Sequence, residues 1–241
     1  MNVLVLGASS AVGAGVAEAF SPGNRLLLTG RDASRLERAA ERCRAAGASA
    51  VSCVAWDLRN GPGDLGQAAV DFRPDLFVNA ASATSRLRDD RIDPAGMDGL
   101  LAVDVAVPLD LVRALLPELG GRPFGVIFIS SFLSAVRSPG REIYGSLKRV
   151  HETALRGMAD SRPGLRLLIV RVSKRIPTDM GSPEAGRLGA AVRKGYFEGG
   201  RVMYHGVAGR LAEALYGFQP FLFSLAVRID RFLHGRSSTS R

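Results

Sequence analysis

Tyr144 and Lys148 are spaced so that they could carry out proton transfer together. They lie four residues apart in IYGSLK (143–148), which is one helical turn, so their side chains would share one helix face. A phenol can exchange a proton with a substrate oxygen, and a nearby ammonium favours the phenolate form. Only three of the 32 basic residues are lysines, so a lysine at this position is notable. The spacing alone also fits an ordinary stripe of an amphipathic helix.

A glycine-rich segment near the N-terminus could bind phosphate. The apolar run NVLVLG (2–7) leads into GASSAVGAG (7–15), and a helical pattern follows. Small residues at a strand-to-helix turn allow backbone amides to approach a pyrophosphate at the helix N-terminus, where the helix dipole favours negative charge. The segment predicts a dinucleotide site, although a tight turn without a ligand has the same composition. The residues that would surround the phosphates are Gly7, Ser9, Ser10, Ala11, Val12 and Gly13.

The end of the second apolar run, TGR (29–31), indicates which dinucleotide binds. Folds that bind NAD usually place an acidic residue here to hold the ribose 2′-hydroxyl, whereas an arginine suits a 2′-phosphate. Gly30 falls at the acidic position and Arg31 at the phosphate-binding position, which favours NADP(H) over NAD(H). Asp32 is the rival ligand, but its place before a helical pattern predicts a helix N-cap.

Alternating strands and helices must position these segments. Six apolar runs rich in Val, Ile and Leu are continuous rather than alternating, as expected for strands buried on both faces. Amphipathic stretches such as 32–47 separate them, and a helix at about 183–197 and a short strand at 201–206 follow. The pattern predicts an α/β, doubly wound Rossmann fold whose central parallel sheet has helices on both faces. The runs are 2–7, 25–30, 48–56, 75–80, 124–130 and 165–171.

No linker or repeat interrupts the chain, so we predict a single domain over residues 1–241. Its cofactor half covers about 1–120, its catalytic and substrate half about 121–214, and an apolar and basic tail about 215–241. The net charge of +9 does not indicate nucleic-acid binding, because the arginines are spread without aromatic interleaving or a nucleic-acid motif. The two cysteines match no metal spacing, so we expect no metal site.

Five motifs resemble those of the short-chain dehydrogenase/reductase family and occur along the chain in the family's order, over roughly residues 1–180. GASSAVG is similar to the family's TGxxxGxG turn, and YGSLK is similar to its YxxxK motif. Ser131 lies thirteen residues before Tyr144, which is the usual spacing. The remaining two motifs are Asp57 after the third strand and NAA (79–81) after the fourth, which is similar to the family's NAG.

The resemblance implies a role for each matching residue. Tyr144 would be the general acid in reduction and the base in oxidation, with Lys148 favouring its phenolate and holding the nicotinamide ribose. Ser131 would hydrogen-bond the carbonyl oxygen, and Asp104, aligned with the family's catalytic asparagine, would hold the water that links the lysine to solvent. His151 is expected on the helix surface. Besides the phosphate turn and Arg31, cofactor contacts would come from Asp57, Leu58, Asn79, Ala80, Ala81, Tyr144, Lys148, Val172 and Thr178.

The chain departs from the family pattern at three positions. Asp104 replaces the asparagine, and an acceptor-only carboxylate cannot copy an amide. Val172-Ser173 stands where the family has Pro-Gly after the sixth strand, although Thr178 matches the family's nicotinamide-binding threonine. Ala11 adds a methyl group where the backbone would approach phosphate. The first departure concerns the proton relay and the second the nicotinamide loop.

We therefore expect an NADPH-dependent reductase or dehydrogenase that transfers hydride to a keto group. The IYGSLK context, Leu6 and the apolar and basic end of the chain resemble reductases of polyprenyl-phosphate-linked keto-sugars. A lipid-linked or activated keto-sugar would then be the substrate. The alternatives are a soluble reductase of a ketone or keto-acyl intermediate, and a non-catalytic NADP-binding sensor or scaffold.

Location and assembly are the subject of three further predictions. An N-terminal strand in place of a secretory leader indicates a cytoplasmic protein. The segment 215–236 would lie in a membrane interface at the inner face, with its arginines toward anionic lipid, or else close the substrate pocket or a subunit interface. The family resemblance implies a homodimer or homotetramer formed through helices around 100–118 and 143–160.

Overall fold

In the part of the chain that the structure describes, seven parallel strands form one central sheet. The computed structural model describes residues 1–83, 92, 94–136, 138–173 and 176–206, and the side chains of all of these except 94 and 95. The strand order is β3–β2–β1–β4–β5–β6–β7, and the predicted doubly wound sheet is confirmed. The strands are β1 (Asn2–Leu6), β2 (Arg25–Gly30), β3 (Ala50–Ala55), β4 (Leu76–Asn79), β5 (Phe124–Ser131), β6 (Leu165–Val172) and β7 (Val202–His205).

Helices connect successive strands and cover the sheet. A π-helical segment (Ala102–Ala106) joins α4 to α5, and short 3₁₀ turns follow β3 and β5 at Leu58–Asn60 and Phe132–Ser134. The helices are α1 (Ala11–Ala19), α2 (Ala33–Ala45), α3 (Gly63–Phe72), α4 (Pro94–Leu101), α5 (Val107–Glu118), α6 (Glu142–Asp160) and α7 (Pro183–Phe197).

The sheet separates two hydrophobic cores. Val3 and Val5 of β1 pack into the core beneath α1, α2 and α7, whereas Leu4 and Leu6 pack into the core beneath α3, α5 and α6. Successive side chains of a strand point to opposite faces, so a strand covered on both faces must be apolar at every position. This requirement explains the continuous apolar runs in the sequence.

The prediction that every apolar run is buried on both faces is wrong for β3. All six of its residues are exposed or half-buried, because among the described strands β3 lies at the edge of the sheet and pairs with β2 alone. Apolar composition therefore predicted the strand correctly and its burial incorrectly.

Helix α7 packs directly on α1 through glycines. A β-carbon on Gly189 would lie within 3.0 Å of the carbonyl group of Gly15, and one on Gly15 would lie 2.5 Å from the carbonyl oxygen of Ala185. The two helix backbones are thus in contact, and this contact fixes α7 against the helix that follows the glycine-rich turn.

The predicted tail at 215–241 lies outside the described residues. Within the described part of the chain, no helix is both long enough and apolar enough to cross a membrane.

The contact between α1 and α7 predicts opposite effects for two Gly→Ala substitutions on α7. Gly189→Ala should lower the free energy of unfolding by about 1–3 kcal/mol, because the added methyl group overlaps the α1 backbone. Gly186→Ala is the matched control: its β-carbon meets open space, and it should raise that free energy by up to about 1 kcal/mol through better helix propensity. Urea denaturation measures both, and similar effects of the two substitutions would contradict the proposed packing.

Candidate active site

The candidate site lies at the carboxyl ends of β1, β4 and β5. From β1 the chain proceeds outward to β2 and β3, then returns to place β4 on the other side of β1. Open parallel sheets bind ligands in the crevice outside the strand ends at such a switch point. Gly7, Asn79 and Ser131 lie at or directly after the three strand ends that border this crevice.

The glycine-rich turn after β1 is closed and rigid. Gly7 has φ +83°, and a β-carbon there would overlap the backbone of Ala80 and Ala81. A β-carbon on Gly13 would overlap the carbonyl oxygen of Gly7. Ser10 caps α1: its Oγ donates to the Gly7 carbonyl at 2.8 Å and accepts from the Gly13 amide at 3.0 Å.

This turn fits a pyrophosphate. The first amides of a helix have no partner within the helix, and those of α1 begin at Ala11 and Val12 beside the crevice. The glycines at 7 and 13 let the turn pack closely on itself and on the end of β4, and such amides at a helix N-terminus favour an anion. The predicted phosphate-binding residues are therefore brought together, with Ser9 half-buried beside Gly30.

The carboxylates near the ribose end of the crevice already have partners. Asp32 accepts from the Arg35 amide at 2.9 Å and caps α2, as predicted, and this hydrogen bond lowers its pKa. Asp57 accepts from the guanidinium of Arg59 at 2.6 Å, which likewise lowers its pKa. Arg31 lies exposed directly after β2, so an anion can reach it.

Arg35 links two parts of the site, a role that the sequence pattern did not predict. Its Nε donates to the Ser9 carbonyl at 2.6 Å and its Nη2 to the Thr178 carbonyl at 3.1 Å. Thr178 itself is exposed and lies against α2 at the phosphate end. Val172 ends β6, in register with Ser131 on one side and His205 on the other.

The end of β4 is fixed against β1. The Ala80 amide donates to the Leu6 carbonyl at 2.8 Å, and the side chain of Asn79, which is 1% exposed, accepts from the Ala81 amide at 3.1 Å. Leu58 is buried under the 3₁₀ turn at Leu58–Asn60. The NAA segment thus forms the floor on which Gly7 packs.

Tyr144, Lys148 and Asp104 meet on the other side of this floor. Tyr144 and Lys148 are both buried on one face of α6, as the spacing predicted. The ammonium of Lys148 lies 3.1 Å from Oδ1 of Asp104, 3.5 Å from the Ala81 carbonyl oxygen and 5.8 Å from the centre of the Tyr144 ring.

Helix α6, which bears Tyr144, packs on the 3₁₀ turn that Ser131 caps. The Oγ of Ser131 accepts from the Leu133 amide at 3.3 Å. A β-carbon on Gly145 would lie 2.6 Å from the Leu133 carbonyl oxygen, so only glycine permits this contact. The glycine in YGSLK therefore has a packing role that the motif alone did not reveal.

A buried ion pair supports the turn at Ser131. Glu152 of α6 accepts from the hydroxyls of Ser130 and Ser134 at 2.6 Å each and from Arg171 of β6 at 2.6 Å. Burial alone raises the pKa of Glu152, but Arg171 and the two serines outweigh this effect and lower it. Arg171 also donates to the Tyr204 hydroxyl of β7 at 2.6 Å, so three neighbouring strands are joined beneath Ser131.

Comparison with known proteins decides the family. The family model for short chain dehydrogenases matches residues 1–183. The chain belongs to the short-chain dehydrogenase family. The phosphate turn described above fits the NAD(P) dinucleotide that a dehydrogenase uses.

Relatives of known sequence or structure agree with this family. Dehydrogenase/reductase SDR family member 7B of Bos taurus is 30% identical over 158 residues, which cover 61% of this chain and 48% of that protein. The chain therefore spans about half the length of this curated relative. A short-chain dehydrogenase from Sphingobium yanoikuyae in complex with NADPH is 26% identical, with a TM-score of 0.74 over 92% of this chain and 95% of that one.

A further solved structure shares the fold. The bulky-bulky ketone specific alcohol dehydrogenase from Comamonas testosteroni is 22% identical, with a TM-score of 0.75 over 92% of this chain and 93% of that one.

Across the described ranges, no group of three or more His, Cys, Asp or Glu side chains could hold a metal ion.

Asp104 stands where the family pattern has an asparagine. Its carboxylate accepts from the Ser82 hydroxyl at 2.7 Å and the Ala83 amide at 2.9 Å, in addition to its contact with Lys148. Burial alone raises the pKa of Asp104, but the Lys148 ammonium and these hydrogen bonds outweigh it and lower the pKa. Asp104 thus contacts the lysine directly, whereas the resemblance implied a link through water.

The local sequence explains how Asp104 is presented. It lies in the π-helical segment, where the Val107 amide donates to the Ala102 carbonyl five residues earlier. Pro108 follows Asp104 by four residues and has no N–H group to donate to the Asp104 carbonyl. Nδ1 of His151 lies 2.8 Å from that carbonyl oxygen and donates to it.

The prediction that His151 lies on the helix surface is wrong. The ring is fully buried and stacks on Phe128 with ring centres 4.1 Å apart. Burial lowers the pKa of His151 to about 4, so the ring is neutral, with its proton on Nδ1. Its position three residues after Lys148 places it on the same buried helix face, and this spacing was the available sequence signal.

His151 predicts a loss of stability in acid. The unfolded chain binds a proton near pH 6.5 and the folded chain only near pH 4, so the free energy of unfolding falls as the pH decreases through this window. His151→Asn keeps an N–H donor for the Asp104 carbonyl but does not titrate, although it loses the stacking on Phe128. The variant should be less stable than wild type at pH 7, and the deficit should shrink by about 2 kcal/mol at pH 5. Thermal and urea denaturation between these pH values measure it, and a constant deficit would contradict the assignment.

Proposed function

We propose that the chain is an NADPH-dependent reductase of a keto group in which Tyr144 transfers the proton. The observation that carries this proposal is the burial of Tyr144 and Lys148 on one face of α6, against the turn capped by Ser131 and beside the phosphate-binding turn. These groups converge from three elements on one crevice, which an incidental helix stripe would not require.

The reaction divides between the cofactor and the side chains. The turn at Gly7–Gly13 and Arg31 would hold the dinucleotide, and bound NADPH supplies a hydride for the carbonyl carbon. Ser131 donates a hydrogen bond to the carbonyl oxygen and fixes its position. Tyr144 gives its hydroxyl proton to the oxygen as negative charge develops there, and Lys148 stabilises the phenolate that remains.

Support for NADPH over NADH comes from the ribose end of the crevice. The carboxylate of Asp32 is occupied as a helix cap, which leaves the exposed Arg31 as the group for a 2′-phosphate. The Sphingobium yanoikuyae relative is known in complex with NADPH.

The substrate class rests on the sequence. We propose a lipid-linked or activated keto-sugar, from the resemblance of the IYGSLK context and of the 215–236 segment, which lies outside the described residues. A ketone or keto-acyl intermediate is the alternative within the same chemistry. Cytoplasmic location, contact with a membrane surface and a homodimer or homotetramer through α5 and α6 remain predictions; the exposed Val150 on α6 agrees with an interface there.

A non-catalytic NADP-binding sensor is the second candidate function. The observation in its favour is the direct pairing of Lys148 with Asp104, which differs from the family's asparagine. The two functions differ in whether the Tyr144 hydroxyl is needed.

Tyr144→Phe distinguishes the two functions. The variant should lose at least about 100-fold in NADPH-dependent reduction, because the Tyr144 hydroxyl is the proposed source of the proton. NADPH oxidation is followed over a panel of ketones, keto-acyl thioesters, nucleotide-activated keto-sugars and lipid extracts. NADPH fluorescence should show that the cofactor still binds, and Tyr196→Phe, in the core beneath α7, is the control. Unchanged turnover in Tyr144→Phe, or no turnover of any carbonyl by wild type, would favour the sensor.

Arg31→Ala tests the cofactor preference. Loss of the guanidinium should weaken NADPH binding about tenfold or more and leave NADH binding nearly unchanged, because only NADPH carries the 2′-phosphate. Arg44→Ala, at the far end of α2, where Arg44 pairs with Glu37, is the matched control. Titration of the cofactor fluorescence measures both constants. An equal effect on NADPH and NADH would remove Arg31 from the 2′-phosphate site.

A further inference from the structure

Two opposite charges are sealed together beside Tyr144. The side chains of Asp104 and Lys148 are 0% and 2% exposed, and their charged atoms lie 3.1 Å apart. The carboxylate also accepts from Ser82 and Ala83, so its position and its ionised form are both fixed. The asparagine that the family pattern places here would bring no charge.

We propose that Asp104 is a positioning residue that balances the charge of Lys148 and so sets the pH range in which Tyr144 exchanges its proton. The inference rests on the proposed function, because that function assigns the proton to Tyr144. Asp104 acts through Lys148 and does not itself touch the reacting atoms.

The physical basis is the difference between a charge and a pair of charges. An isolated ammonium about 6 Å from a phenol stabilises the phenolate strongly, whereas an ammonium bonded to a carboxylate acts as a dipole, whose effect decreases faster with distance. Replacing the carboxylate with a neutral amide leaves a full positive charge beside the phenol, so the variant should exchange the Tyr144 proton at lower pH than wild type.

Among the described residues, other charged or titratable groups near Tyr144 keep their own charge when only the Asp104 carboxylate is replaced. The guanidinium of Arg141, at the start of α6, lies 4.8 Å from the centre of the Tyr144 ring. His151 is neutral, and from the side of β5 and β6 Glu152 forms its own pair with Arg171. A shift in pH dependence upon substitution of Asp104 therefore reports the Asp104 charge.

Asp104→Asn in the full chain with bound NADP⁺ is the test. The pH profile of alcohol oxidation, run with the product alcohol of a carbonyl from the screen, should move as a whole to lower pH by about one unit. Asp110→Asn, an exposed carboxylate on α5, is the matched control and should keep the wild-type profile. If Asp104→Asn lowers the rate equally at every pH, Asp104 has only a structural role and the inference is overturned.

A second measurement separates this inference from the proposed function. The phenolate absorbance of the NADP⁺ complex is followed as a function of pH in wild type and in Asp104→Asn. The absorbance of the matching protein that also carries Tyr144→Phe is subtracted from each, and the measurement needs no substrate. A shift of the Tyr144 signal to lower pH in Asp104→Asn supports the inference, even if the protein reduces no carbonyl in the panel. An unchanged signal overturns the inference, even if the protein does reduce one of the carbonyls. Should Asp104→Asn fail to fold, Asp104→Ser removes the same charge, leaves room for water beside Lys148, and should show the same shift.

Discussion

The burial of the Lys148 ammonium is the constraint on which the rest of the site depends. Removing an ammonium from water is costly unless a charge of opposite sign and further hydrogen-bond partners lie close to it. The Asp104 carboxylate and the Ala81 carbonyl meet this need, and both belong to elements far from α6 in the sequence. The π-helical segment, the end of β4 and α6 must therefore assemble together for the lysine to be buried at all.

Helix α6 bears a second buried charge one turn further along. Lys148 pairs with Asp104 on the side of β4, and Glu152 pairs with Arg171 on the side of β6. Removing one partner of a buried pair typically costs several kcal/mol, so each pair specifies the position of the helix more strictly than apolar contacts alone would. Tyr144 lies on α6, whose position these pairs fix. The serines that contact Glu152, Ser130 and Ser134, lie on either side of Ser131 in the sequence. The two groups proposed to act on the substrate oxygen are thus held by two separate ion pairs.

Local patterns in the sequence predicted what depends on local chemistry. The apolar runs became strands, Asp32 capped α2, and the glycine-rich turn and the tyrosine–lysine spacing became parts of one crevice. The burial of His151, the exposure of β3 and the supporting role of Glu152 could not be predicted in this way. Each depends on which distant element packs against the residue, and a sequence pattern on one helix or strand does not specify that neighbour.

Asp104 shows why a departure from a family motif must be judged by its surroundings. If an aspartate replaced the asparagine in an inactive site, its buried carboxylate would have oxygens without hydrogen-bond donors. Such a carboxylate tends strongly to become protonated. Here the Ser82 hydroxyl, the Ala83 amide and the Lys148 ammonium all contact the carboxylate. The His151 ring contacts the backbone carbonyl of the same residue. Two separate parts of the chain, the segment Ser82–Ala83 and helix α6, thus contact one charge. That degree of accommodation favours a site in which the charge is used over a scaffold in which the lysine has lost its role.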